Sequence, residues 1–298
     1  MMSFFSLVKR NTKLFFKDKG MFFTSLITPL ILLVLYATFL AGVYRDSFSS
    51  AIPEFLKIEE NLLDGAVAAQ LISSLLAVSC VTVAFCSNLL MVQDKITGAR
   101  RDLCVSPVKR SSLAAAYFAS SSLSTLIITF TALGVCLLYQ LKKGWYLSGR
   151  DVFLLALDVF LLTLFGVAMS ACVNFFLSTN GQSSAVGTIV SAGYGFVCGA
   201  YMPISSFAPG LQKVLSFLPG TYATSLIRNH AMRGAFAEME GLGFPPQAMT
   251  ELKSAFDCNL YFFEKSVSES AMYLVLCGST VLLVLIYIMF NIFSKKES

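Results

Sequence analysis

Six apolar stretches of bilayer-crossing length divide this chain, at residues 21–43, 66–92, 113–141, 152–177, 186–201 and 271–293. A helix rises about 1.5 Å per residue and a hydrocarbon core is about 30 Å thick. The fifth stretch is the shortest and the richest in glycine. Hydrocarbon offers no water to backbone N–H and C=O groups, so only helices or closed barrels can cross it. No stretch alternates apolar and polar residues over about ten positions, as a barrel strand does. The expected fold is therefore all-α, one polytopic domain over residues 1–298 with six transmembrane helices. Composition agrees: 56% of the residues are hydrophobic, 13% are charged and the mean hydropathy is +0.73, too apolar for a surface that faces water.

Lysine and arginine fall unevenly on the two sides of these spans. One side collects Lys9, Arg10, Lys13, Lys17, Lys19, Lys95, Arg100, Arg101, Lys109, Arg110, Lys295 and Lys296 against Asp18, Asp94, Asp102 and Glu297. The other side is slightly acidic, and half of its cations lie in the long segment after the fifth span, where the rule is weak. Both termini are thus expected in the cytoplasm, which requires an even number of spans, with the protein multi-pass in the cell (inner) membrane. The first apolar run is too long for a signal peptide and lacks a small-x-small cleavage site, so the first span is expected to be retained. The net charge of +5 is a topological signal and implies no nucleic-acid partner.

The segments between spans are informative in two places. Wound at 100° per residue, residues 2–18 put Phe4, Phe5, Leu7, Val8, Leu14, Phe15 and Phe16 on one half of the wheel and Lys9, Arg10, Lys13 and Lys17 opposite. That predicts an interfacial amphipathic helix with membrane lipid as its partner. After the fifth span, two Pro-Gly pairs bracket residues 211–218, a piece too short to span. A helix, a break at Pro219-Gly220 and a second helix towards Gly234 form an expected re-entrant outer hairpin over 203–234; the other reading is a surface helix pair. Residues 235–270 are expected as a mostly polar external loop. Gly195-x-x-x-Gly199 allows close approach of two helix backbones and is a candidate dimer seam.

Reacting groups are scarce. His230, the only histidine, is expected outside the membrane with Arg228 and Arg233 as solvated loop residues, so a buried Ser and His pair is excluded. Asp158 is the sole acid inside a span, which rules out a two-aspartate intramembrane protease. It fits a polar cavity or an interfacial, helix-paired role. No GxxxxGK[ST] loop is present. The chain is expected to be no enzyme and to hold no cofactor or metal. The eight cysteines show no metal-ligand spacing and read as small helix-packing residues.

Between the second and third spans runs QDKITGARRDLCVSPVKR, residues 93–110, the longest polar stretch between two long apolar ones. It reads as a docking surface for another protein. Lys95-Ile96-Thr97-Gly98-Ala99 and Ser106-Pro107-Val108-Lys109-Arg110 here, with Pro203-Ile204-Ser205 and Leu218-Pro219-Gly220-Thr221-Tyr222 after the fifth span, resemble the ABC-2 type permeases, the membrane subunits of bacterial ATP-driven exporters. Thr97-Gly98 inverts that family's Gly-Thr order, and Gly220 replaces a commoner Leu or Phe. The resemblance covers nearly the whole chain and implies several roles. Asp94, Lys95, Thr97, Gly98, Arg100, Arg101, Ser106, Pro107 and Arg110 would dock a separate ATP-binding cassette subunit that carries ATP and magnesium. Pro203, Ser205, Pro219, Gly220, Thr221 and Tyr222 would form an outer gate. Two permease chains, identical or related, would pair around a path lined mainly by the second and fifth spans, and the scarcity of charge favours an amphipathic or lipid-like cargo. A stand-alone secondary transporter is the competing class, but no inverted repeat supports it; a membrane sensor would need a sensory domain that is not seen.

Overall fold

A computed structural model describes residues 4–51, 59–105, 108–263 and 265–293. The first helix, α1 (Phe4–Lys17), buries Leu7, Asn11 and Phe15, spaced one turn apart, and leaves Lys9, Lys13 and Lys17 outward. Asp18 ends it and starts the next: its carboxylate accepts the Met21 N–H at 3.0 Å, capping α2 (Lys19–Leu35). A π-wound turn at Tyr36–Leu40 carries α2 into α3 (Ala41–Ala51). Pro29 sits inside α2 without ending it.

The centre of the protein is α4 (Glu60–Ile96), 37 residues long and buried on nearly every face. Around it stand α2, α6 (Arg110–Lys143), α7 (Gly149–Phe175), α8 (Asn180–Val197) and α10 (Pro219–Gly241). Small residues bring the backbones together. A Cβ on Gly166 of α7 would lie 3.1 Å from both Cys80 O and Val81 Cα of α4. Polar side chains fasten the same contacts: Asn88 donates to Val167 O at 3.1 Å, and Gln140 of α6 donates to Gly65 O at 2.9 Å.

The remaining elements are α5 (Ala99–Val105), α9 (Pro209–Leu215), α11 (Pro246–Ala255), a two-stranded hairpin of β1 (Tyr261–Phe262) and β2 (Lys265–Ser266), and α12 (Glu269–Phe293). Among the described residues, five helical segments are long and apolar enough to cross a membrane: Lys19–Asp46, Glu60–Ile96, Arg110–Lys143, Gly149–Phe175 and Glu269–Phe293. The expected fifth span folds as α8, which starts at Asn180 under a Thr179 cap and ends at Val197. Asn180 and Gln182, with its glycine, serine and threonine content, keep it out of those five, and Gly199, at φ +75°, turns the chain before residue 201.

The segment expected as an external loop departs most from the sequence reading. Helix α10 runs on past Gly234 to Gly241, packs lengthwise against α4, α7 and α12, and buries Arg228 and His230. Residues 235–270 are then largely ordered, as the end of α10, α11 and the hairpin.

Candidate functional site

The polar stretch 93–110 folds as the end of α4, a turn at Gly98 (φ +81°) and the short helix α5. Its charged residues divide into two sets. Asp94, buried, accepts from Arg10 of α1 at 2.8 Å and from the Tyr117 hydroxyl of α6 at 2.6 Å. The hydrogen bond to Asp94 is the main cause raising the Arg10 pKa. Lys95 donates to Leu177 O at 3.0 Å and also to Phe175 O, satisfying carbonyls left over at the C-terminal end of α7. Arg100 donates to Asn291 of α12 at 3.2 Å and lies 5.6 Å from the centre of the Phe175 ring. Thr97 bonds back to Gln93 O at 2.9 Å. Arg101, Asp102, Cys104, Val105 and Lys109 face outward. Arg110 opens α6, half-buried, and Ser106 and Pro107 lie outside the described residues.

The outward residues therefore ride on a platform. Leu103 of α5 joins a cluster with Leu7, Met91, Leu113, Tyr117, Ala171 and Tyr287, which brings together six helices. Asp94, Lys95 and Arg100, read from the sequence as docking contacts, hold this platform to the bundle.

At the opposite end, α9 and α10 meet at the Pro219-Gly220 break. Thr221 donates to Leu215 O at 2.9 Å and the Tyr222 hydroxyl to Ser216 O, so the Thr-Tyr pair closes the corner by capping α9. Gly220 sits close under α8: a Cβ would lie 2.5 Å from the Tyr194 hydroxyl, so a larger residue would have to displace the tip of that side chain. Pro203 precedes a single 3₁₀ turn, Ile204–Ser206, in which Ser205 is exposed.

Arg228 knots this region together. Its guanidinium donates to Phe256 O at 2.8 Å and to Gly199 O at 2.9 Å, and lies 3.4 Å from Asp257. Asp257 accepts the Ile204 N–H at 2.6 Å, while Ser225 donates to Asp257 O at 2.8 Å. Burial pushes the Asp257 carboxyl up, against the opposing pull of Arg228 and the Ile204 N–H.

His230 is likewise 1% exposed, which corrects its reading as a solvated loop residue. Its Nδ1 is 2.5 Å from Asp158 of α7, whose other oxygen accepts the Tyr273 hydroxyl of α12 at 2.5 Å. Asp158 is as buried as His230 and out of reach of water. One turn further out, Arg233 Nε donates to Asp151 at 2.5 Å, and Asp151 also closes a capping box with Ser148. The sequence did carry a signal for this pairing, since an intraspan acid needs a partner and the chain has one histidine.

The candidate seam glycines serve the chain itself. A Cβ on Gly195 would lie 2.3 Å from the Tyr201 ring, and one on Gly199 would lie 2.9 Å from Ile204 in addition to the positive φ. Both are consumed by the turn after α8, so they offer no surface to a second chain. Gly187 and Gly193 face open space.

A cleft of about 760 Å³ opens between α2, α4 and α8. Its walls are apolar residues such as Ile27, Ile31, Leu89 and Val92, with hydroxyl and amide groups from Thr28, Gln93, Ser184 and Thr188. Among the described residues no charged side chain lines it. Because α4 is otherwise enclosed, its contribution to any path is confined to the strip from Cys86 to Gln93.

No curated protein matches this chain. The family profile described as ABC-2 type transporter matches residues 2–231, from α1 to the middle of α10. Over that length it takes in the platform at one end, the helix–break–helix corner at the other and the cleft between them, and the chain belongs to the ABC-2 type transporter family as a multi-pass permease component of an ABC transporter.

Proposed function

We propose that this chain is the membrane half of an ATP-driven exporter in the cell membrane, with both termini cytoplasmic. A separate ATP-binding cassette subunit docks on α5 and the outer face of α1 and holds the ATP and magnesium. The chain itself performs no chemistry. The carrying observation is the division within the 93–110 segment: Arg101, Asp102 and Val105 face outward, while Asp94, Lys95 and Arg100 are bound to α1, α6, α7 and α12. A push on α5 would therefore reach α12 directly through Arg100, and α1, α6 and α7 through the Leu103 cluster and the end of α4. Nucleotide binding would then bias a two-state tilt of the bundle.

The charge-free cleft between α2, α4 and α8 suits an amphipathic or lipid-like cargo such as a drug, a lipopeptide or a polyketide. A second permease chain, identical or related, closes that cleft across the exposed faces of α2 and α8, where Ile31, Ile189 and Phe196 stand out. The α9–α10 corner dips into the outer leaflet as a re-entrant gate at Pro203, Ser205 and Pro219 to Tyr222.

Co-expression with a candidate cassette subunit, purification through a tag on this chain and an ATPase assay test the reading. Arg101→Glu should abolish co-purification while leaving the thermal stability of the chain unchanged. Arg100→Glu should lower stability as well. No association in any membrane mimetic overturns the reading in favour of a stand-alone transporter.

A further inference from the structure

A second cavity, of about 790 Å³, lies at the end of the bundle away from α1 and α5. It is lined by Lys213 and Ser216 of the α9 region, by Ile204, Thr221 and Tyr222, and by Ser254, Asn259, Tyr261 and Phe263. Its size is within the range of small-molecule sites, about 300–1,000 Å³.

Charge in this cavity is one-sided. Among the described residues the only carboxylate in its lining, Asp257, is turned onto Arg228 and the Ile204 N–H. Among the described residues Lys213 pairs with no carboxylate, and its ammonium sits 5.9 Å from the centre of the Phe263 ring. Rings gather at the mouth: Phe217 lies 5.1 Å from Phe262 and 5.9 Å from Phe263. Phe217 and Phe263 are nonetheless 61% and 54% exposed. The exposed rings stand beside this cation, so one ligand can meet both the charge and the apolar cover.

We infer that this cavity binds the charged end of an anionic amphiphile. Lys213 pairs with its phosphate or carboxylate, and Phe217 and Phe263 cover the apolar portion next to it. A lysine ammonium is a point charge that accepts either anion, and the ring of Phe263 holds it at the mouth. The site is built by one chain alone and does not depend on the transport reading. Two sources share this chemistry: a lipid of the surrounding leaflet, or an amphiphile delivered by the transporter.

The test titrates hexyl phosphate into the full chain in phosphatidylcholine nanodiscs, followed by calorimetry with empty discs as the blank. Saturable binding is expected, weakened tenfold or more by Lys213→Glu and several-fold by Phe263→Ala. Lys265→Glu, which alters an exposed cation outside the cavity, should stay within twofold. Equal binding by Lys213→Glu and the native chain, equal binding of uncharged hexanol, or no saturable binding at all overturns the proposal. Trp145 fluorescence on heating checks that each variant is folded, and Lys213→Gln replaces the glutamate variant if that one is not. Repeating the titration in phosphatidylglycerol discs assigns the source: lost binding means bilayer lipid fills the site, and undiminished binding means the occupant comes from elsewhere.

Discussion

Arg10 Nη1 lies 2.8 Å from Asp94 Oδ2, joining the N-terminal amphipathic helix to the end of the central helix across 84 positions of sequence. With Tyr117 on the same carboxylate, α1, α4 and α6 meet at one buried acid. Hydrogen bonds to charged groups contribute roughly 1.5–3 kcal/mol each. Arg10→Ala is expected to release α1, seen as at least tenfold faster amide exchange over residues 4–17. Exchanging the charges, Arg10→Asp with Asp94→Arg, should recover part of the protection.

Asp158 serves two partners, so its loss orphans both. Asp158→Ala leaves the His230 imidazole and the Tyr273 hydroxyl without that acceptor, at a cost of about 1–3 kcal/mol for the buried imidazole and less for the half-buried hydroxyl. Thermal unfolding of the purified chain, followed by Trp145, should show a clear drop in Tm. Asp158→Asn, which keeps an oxygen in place, should fall between. A native-like Tm for the alanine variant would contradict this account.

Gly234 marks the closest approach of α10 to the turn before α7. A Cβ there would lie 1.7 Å from Tyr146 O, a backbone atom that cannot rotate away. Gly234→Ala should therefore destabilise by more than the roughly 1 kcal/mol that alanine normally gains over glycine in a helix. Gly241→Ala, which meets nothing within 4 Å, is the control on the same helix. Their Tm values are expected to move in opposite directions.

Asp257 gives a pH dependence with a defined sign. Its folded pKa is raised by burial, so the native state holds the proton more tightly than the unfolded chain does. That stability is complete below the ordinary carboxylate range, near 4, and is lost as pH rises through the folded value. The difference in Tm between the native chain and Asp257→Asn should accordingly move in the variant's favour between about pH 4 and about pH 7. A pH-independent difference would show that Asp257 titrates alike in both states.

Hydropathy made the apolar helices legible, because a bilayer-length run admits few alternatives. It undersized them: α4 extends from Glu60 to Ile96 instead of over 66–92, since polar flanks such as Asn61 and Asp94 continue a helix as readily as they end one. The burial of α10 was hidden for the opposite reason. Arg228 and His230 read as surface residues until their partners, Asp257 and Asp158, are brought in from 29 and 72 positions away. Likewise Asp94 and Arg100 carry the charges of a docking loop, and only the turn at Gly98 decides which of them face the bundle. Local pattern fixes an element's type, whereas pairings between distant ionic groups belong to packing.

The unbroken run of α4 has a mechanical consequence. A helix of 37 residues is about 55 Å long, stiff enough to tilt before it bends. Pivoting by about 5° on the tight crossing at Gly166, near its middle, displaces each end by about 2 Å in opposite directions. An inward stroke at Asp94 would thus become an outward one near Gly65, with the glycine crossing as the fulcrum of a seesaw.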